Sequence, residues 1–269
     1  MVRQPAVAGQ FYPGNAERLA KDLSHYIGNP PDTRQRVLGI MVPHAGYVYS
    51  GAVAGAVYGN IEIPRIAIIL CPNHHGIGAV AALSPAAGWQ TPLGTVPVAT
   101  DLSRQILAAA PELIAFDALA HLYEHSLEVQ LPFLQTLRPD VKIVPLSIGF
   151  GDYERCRRVG EALAQVVASS GESILIVASS DMTHYESAAE AKQKDSLAIE
   201  RICDLDPVGL LSTCRSHGIT MCGVVPATIM LIAAKLLGAS SAVLTRYATS
   251  GDVTGDFRQV VAYAGLTVS

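Results

Sequence analysis

Short apolar runs, each closed by turn residues, recur at positions 37–42, 66–71, 142–147 and 174–178. Runs of this length without polar alternation fit strands buried on both faces, as in a parallel sheet covered by helices. Stretches with helical spacing lie between them, near 50–59, 101–109, 126–137 and 153–169. Further helices are predicted near 16–27, 186–204, 207–216 and 226–237, and strands at 241–248 and 258–267 close the chain. The Gly/Pro-rich stretch 80–97 suits short strands. Alternation of strand and helix predicts an α/β fold with a mostly parallel central sheet flanked by helices. The linker-like stretch 28–36 is too short to divide domains, so residues 1–269 are expected to form a single domain.

Composition narrows the functional classes. Half of the 269 residues are hydrophobic and only 16% are charged, which is ample for a core and argues against disorder. A net charge of −4 leaves no electrostatic footprint for nucleic acid, and no basic run suggests a membrane surface. The opening Met1-Val2-Arg3-Gln4-Pro5-Ala6 lacks the apolar stretch of a signal peptide. The most apolar segment, 224–234, carries Pro226 and is too short to span a bilayer. Five cysteines form no C-x-x-C pair and are odd in number, which points to reduced thiols in a cytoplasmic protein.

The chemistry collects where the strands end. Three of the apolar runs lead directly into histidine-bearing turns: Pro43-His44-Ala45-Gly46-Tyr47, Pro72-Asn73-His74-His75-Gly76, and Ser179-Ser180-Asp181-Met182-Thr183-His184. In open α/β sheets ligands bind outside the carboxyl ends of the strands. Four of the eight histidines therefore fall where such a fold places its site, and a metal is the natural occupant. Neighbours in extended backbone face opposite ways, so His74 is taken as the ligand and His75 as a supporting residue. In Cys222-Gly223-Val224-Val225-Pro226 the cysteine precedes a helix whose positive end would favour thiolate. Asp181 and His184 stand three apart and would meet on a helical turn, giving a carboxylate-supported acid/base histidine. The bland alternatives are a core histidine at 44, a small buried cysteine at 222 and Asp181 as a helix cap.

Two motif matches fail. Gly76-Ile77-Gly78-Ala79-Val80-Ala81 imitates a dinucleotide fingerprint, but it leads to Pro85 instead of opening a helix. His121-Leu122-Tyr123-Glu124-His125 matches the inverted zincin pattern, which needs both histidines on one helix. Helical spacing begins only near Leu127, with Ser126 as its cap, so zinc-dependent hydrolysis stays a minor rival. Glu124, His125 and Glu128 are placed at the rim of the crevice or behind its ligands. Tyr12, Tyr47, Tyr49 and Tyr185 offer an aromatic wall, with core packing as the simpler reading.

Taken together, these segments resemble one family. Gln4-Pro5-Ala6-Val7-Ala8-Gly9-Gln10-Phe11-Tyr12-Pro13, the turns at His44 and His74, Glu124-His125-Ser126-Leu127-Glu128, Ser179 to Tyr185 and Cys222-Gly223 occur in order. This pattern is similar to the Memo family, whose bacterial and archaeal members are called AmmeMemoRadiSam system protein B. The resemblance implies a fold similar to class III extradiol (LigB-like) dioxygenases, with His44, His74 and Cys222 at metal-binding positions. It also places Asp181 and His184 in the same pocket. Such dioxygenases hold Fe(II) with two histidines and a carboxylate. A cysteine as third ligand shifts the preference toward copper, zinc or thiolate-bound iron. Eukaryotic relatives look like adaptors for phosphotyrosine peptides linked to copper-dependent redox chemistry. Two expectations follow: an iron or copper protein with redox or dioxygenase-like activity on a small ligand, or a non-catalytic pocket for a peptide or anionic ligand. Other proteins of the AmmeMemoRadiSam system are expected partners; nucleic acid and membrane are not.

Overall fold

The computed structural model describes residues 1–269. Four strands, Gly39–Val42, Ile174–Ser179, Ile66–Pro72 and Lys142–Ile148, lie side by side in that order and run parallel. Their side chains alternate between two layers. Ile68, Leu70, Ile176 and Ala178 enter the larger core, whereas Ala67, Ile69, Leu175 and Val177 enter the smaller one. Both faces are therefore apolar, which is why these strands read as unbroken hydrophobic runs. Helices Ala16–Ile27, Tyr47–Asn60 and Leu131–Leu137 cover one face. Thr100–Ala109, Tyr153–Ser170, Ala188–Cys203, Pro207–Ser216 and Val224–Leu236 cover the other.

Outside those four strands the pairing is mixed, with Ala81–Leu83 parallel to the edge strand Ala115–Phe116. Ala81–Leu83 pairs antiparallel with Lys142–Ile148, and Val260–Val268 pairs antiparallel with Gly39–Val42. The last two long strands, Ala242–Thr249 and Val260–Val268, are antiparallel to each other. The stretch between them holds only the short helix Gly251–Thr254, less than a parallel crossover requires. The α/β expectation holds, with a mixed sheet in place of a mostly parallel one.

Val224–Leu236 is apolar around most of its circumference because it is wedged between the sheet and Tyr153–Ser170. No helix is long and apolar enough to cross a membrane.

One buried ion pair fixes the amino-terminal segment. Val2–Arg3 pairs with Gly88–Thr91, and the Arg3 guanidinium reaches the fully buried Glu128 carboxylate. Glu128 also accepts from the Ala6 and Val7 amides at 2.7 and 3.1 Å and from the Tyr12 hydroxyl at 2.6 Å. Removing a single partner would strand the other charge out of water. We expect Glu128→Ala to lower unfolding free energy by about 3–5 kcal/mol in urea titrations. A loss below about 1 kcal/mol would reduce the pair to the rank of a surface contact.

Candidate metal centre

His44 follows the end of Gly39–Val42 by two residues, and Pro43 stops the strand just before it. Its ring is buried and its Nδ1 lies 2.9 Å from Ser179 Oγ. The Ser179 hydroxyl donates to the Ser126 carbonyl at 2.6 Å and accepts from Gln130 Nε2 at 2.9 Å. With its only hydrogen committed, the serine oxygen can only accept from His44. The network thus assigns the proton to Nδ1 and leaves Nε2 as the acceptor nitrogen.

His74 is oriented by the same logic. Its amide and its Nδ1 donate to the two oxygens of Glu124, at 2.8 and 2.9 Å. Glu124 is fully buried and accepts further from the Ser126 amide and hydroxyl at 3.0 and 2.6 Å. Nε2 of His74 again carries the lone pair. A carboxylate behind a histidine fixes the tautomer and raises its basicity, a common arrangement at metal sites. His75 turns away, exposed, with Nε2 3.1 Å from the Tyr123 carbonyl.

His125 arrives from the loop between the short helix Leu119–Leu122 and the turn Glu128–Gln130. Its ring stacks on His74 at 5.0 Å, lies edge-on to His44 at 5.5 Å and packs against Phe11 at 4.7 Å. The ligand nitrogens of His44, His74 and His125 all lie within 4.8 Å of one another. These three residues form a group that could hold a metal ion.

Cys222 adjoins the group. Its sulfur is 3.2 Å from His44 Nε2 and receives the Asp181 amide at 3.2 Å. Gly223 permits this approach, because a Cβ there would lie 2.3 Å from the Ser179 carbonyl oxygen. In the metal-free protein burial works against the thiolate that the helix terminus would favour. Burial, aided by the nearby Asp181 carboxylate, pushes the Cys222 thiol well above the usual thiol range. Burial likewise lowers His44 far below the usual imidazole range and His125 to about 4. Both present neutral rings at neutral pH, the form a metal binds. For His74, burial opposes charge, but the hydrogen bond and charge of Glu124 outweigh it and raise its pKa above 6.5.

Asp181 and His184 lie in the same region but do not pair as a helical turn would allow. Residues 180–183 are irregular, and His184–Glu186 is a strand paired with Val260 and Val261. Asp181 accepts from the His44 amide at 2.7 Å, and burial pushes its carboxyl up to about 6. It caps no helix: Ser187 caps Ala188–Cys203. His184 is held by Thr220, whose carbonyl lies 3.0 Å from Nδ1 and whose hydroxyl accepts the His184 amide at 2.8 Å. Upstream, Asp195 fixes Thr183 through bonds of 3.1 and 2.7 Å and accepts from Tyr247 at 2.7 Å.

Two other readings are corrected. Tyr47 is no wall of the site: it is buried, donates to the Val129 carbonyl at 2.6 Å and packs on Tyr12 and Phe133. A phenol can spend its one polar atom on backbone and give its ring to the core. Ser126 does not cap the following helix, since its hydroxyl is committed to Glu124. His121 stays apart from His125, packed against Trp89 with Nε2 2.9 Å from the Ala82 carbonyl. The zincin pattern therefore has no shared helix to stand on.

Several residues of this network escaped sequence reasoning. Arg3, Gln130, Asp195 and Thr220 give no local motif. Ser126, Glu128 and Gln130 are polar positions alternating with Leu127, Val129 and Leu131, and Ser179-Ser180 closes an apolar strand. Those breaks in pattern are the signal that was present.

A family profile described as "Memo-like protein" matches residues 3–267. The chain belongs to the Memo family. A MEMO1 family protein of Aquifex aeolicus is 45% identical over 269 residues, covering 98% of each chain. One from Methanosarcina mazei is 44% identical over 99% of each. Among solved structures, an uncharacterized protein of Escherichia coli K12 superposes with a TM-score of 0.55 at 14% identity. That match covers 85% of this chain and 99% of the other, and it speaks for the fold alone.

The raised pKa of His74 has a definite sign. In the metal-free protein the protonated His74–Glu124 pair adds stability that is fully present below about 6.5, the unfolded pKa, and lost as pH rises through the folded pKa. A metal displaces the same proton, so metal uptake should weaken as pH falls through that value. We expect NMR titration to place His74 above 6.5 and Glu124→Gln to bring it down. An unchanged His74 titration in that variant would remove Glu124 as the cause.

Proposed function

We propose that this Memo-family protein binds iron or copper through His44, His74 and Cys222, with His125 as a further nitrogen beside them. The observation that carries the reading is the convergence of imidazole Nε2 lone pairs, each oriented by a buried partner, with a thiol 3.2 Å from one of them. Neutral imidazole and sulfur suit copper and iron, and the same set would accept zinc. The residues present therefore fit a resident metal, which would supply redox or dioxygen chemistry when bound. His184, with Nδ1 engaged by Thr220, keeps Nε2 to take or give a proton to a small ligand. Asp181 would act at one remove, holding the His44 backbone in place.

Elemental analysis of anaerobically purified protein tests the ligand set. Cys222→Ser should lose at least about tenfold in metal affinity, whereas His125→Ala should stay near wild type. The reverse pattern would establish a three-histidine site instead. If a ligand is turned over there, His184→Ala should keep its metal and lose about 100-fold or more in rate. Wild-type rates in that variant would take His184 out of the mechanism.

A further inference from the structure

The donors of the metal centre are not all held alike. His44 and His74 each have Nδ1 tied to a buried partner, Ser179 Oγ and Glu124 Oε1, both at 2.9 Å. His125 has no such tie. The nearby Glu124 oxygen is 3.7 Å from its Nδ1, beyond hydrogen-bond distance, and the ring is held by packing on Phe11 and His74. Cys222 is loose in a similar way. Its sulfur lies 3.2 Å from His44 Nε2 but outside the group of three nitrogens that lie within 4.8 Å of one another. The Asp181 amide donates to the sulfur at 3.2 Å, which suits a thiolate, and the Asp181 carbonyl at 3.6 Å can take the hydrogen of a thiol. The side chain is therefore provided with hydrogen bonds whether or not it holds a metal. Two donors are pinned, and two are free to engage or withdraw. The free pair differ in kind: thiolate is soft and selects copper(I), whereas imidazole nitrogen suits copper(II).

We propose that the pocket contains two donor sets built on one shared pair, with Cys222 completing His44 and His74 for copper(I) and His125 completing them for copper(II). The inference rests on the metal-binding reading above and divides it by oxidation state. Both sets keep the two imidazoles whose anchor points the sheet fixes, and they differ only in the third donor.

Competition titrations on the full chain read the two sets separately, with copper(I) buffered by bicinchoninate and copper(II) buffered by glycine. Cys222→Ser should lose at least about tenfold in copper(I) affinity and stay within about threefold for copper(II). His125→Ala should show the converse. Electron paramagnetic resonance of the unaltered protein with one equivalent of copper(II) should show imidazole nitrogen couplings, and its visible spectrum should lack an intense thiolate-to-copper(II) band. Such a band would overturn the proposal, as would loss of the copper(II) signal through reduction by Cys222, since sulfur would then be meeting copper(II). Unchanged copper(II) affinity in His125→Ala would overturn it too. These copper(II) results would leave the His44, His74 and Cys222 ligand set standing. Full copper(I) affinity in Cys222→Ser, or no copper binding in either state, would overturn the ligand set together with the proposal. The spectra of the unaltered protein decide the matter even if His125→Ala fails to fold.

Discussion

The structure depends first on Arg3 and Glu128. Both are taken out of water, a cost of several kcal/mol per ion that only close and complete pairing offsets. The pairing is complete on both sides: Glu128 collects two amides and a phenol besides the guanidinium. Arg3 spends its remaining donors on the carbonyls of His121 and Glu124 and lies 4.3 Å over the Trp89 ring. One residue near the start of the chain thus holds the whole loop from His121 to Glu128 in place. That loop has little regular structure of its own. Glu124 can stand beneath His74, and His125 beside it, because the arginine has fixed the loop's carbonyls.

A second tier of hydrogen bonds turns this scaffold into chemistry. Ser126 feeds both arms: its side chain and amide serve Glu124, and its carbonyl takes the Ser179 hydrogen. Each choice propagates outward and ends by leaving a lone pair on an imidazole Nε2. In a low-dielectric setting such chains polarise one another, and a missing member costs more than one bond. The ring orientations of His44 and His74 are therefore properties of the network and not of the two side chains alone.

The strands and most helices were legible in the sequence because period and length act locally. Ile66–Pro72 and Ile174–Ser179 announce themselves by apolar content alone, and the histidines two residues beyond strands Gly39–Val42 and Ile66–Pro72 inherit their place from the sheet. What could not be read depends on distant partners. The extended path of His184 is set by pairing with Val260 and Val261, some seventy-five residues on, which overrides the helical spacing of Asp181 and His184. Tyr47 could serve a pocket or a core, and only the position of Val129 settles which. The reach of Arg3 to Glu128 crosses nearly half the chain. The antiparallel flanks follow from a short connection whose meaning depends on where its strands dock.

The order of the central strands carries one more consequence. His44 and His74 stand on strands that flank Ile174–Ser179, so their anchor points are two strand spacings apart, about 9–10 Å. Their rings nevertheless meet at 5.2 Å, leaning inward over Ser179, the last residue of the strand between them. The bite of the site is accordingly a lattice constant of the sheet. Loops above it can be rebuilt to admit a different guest, but the spacing of the two anchor points changes only by whole strands. The floor beneath tolerates little that is bulkier than serine.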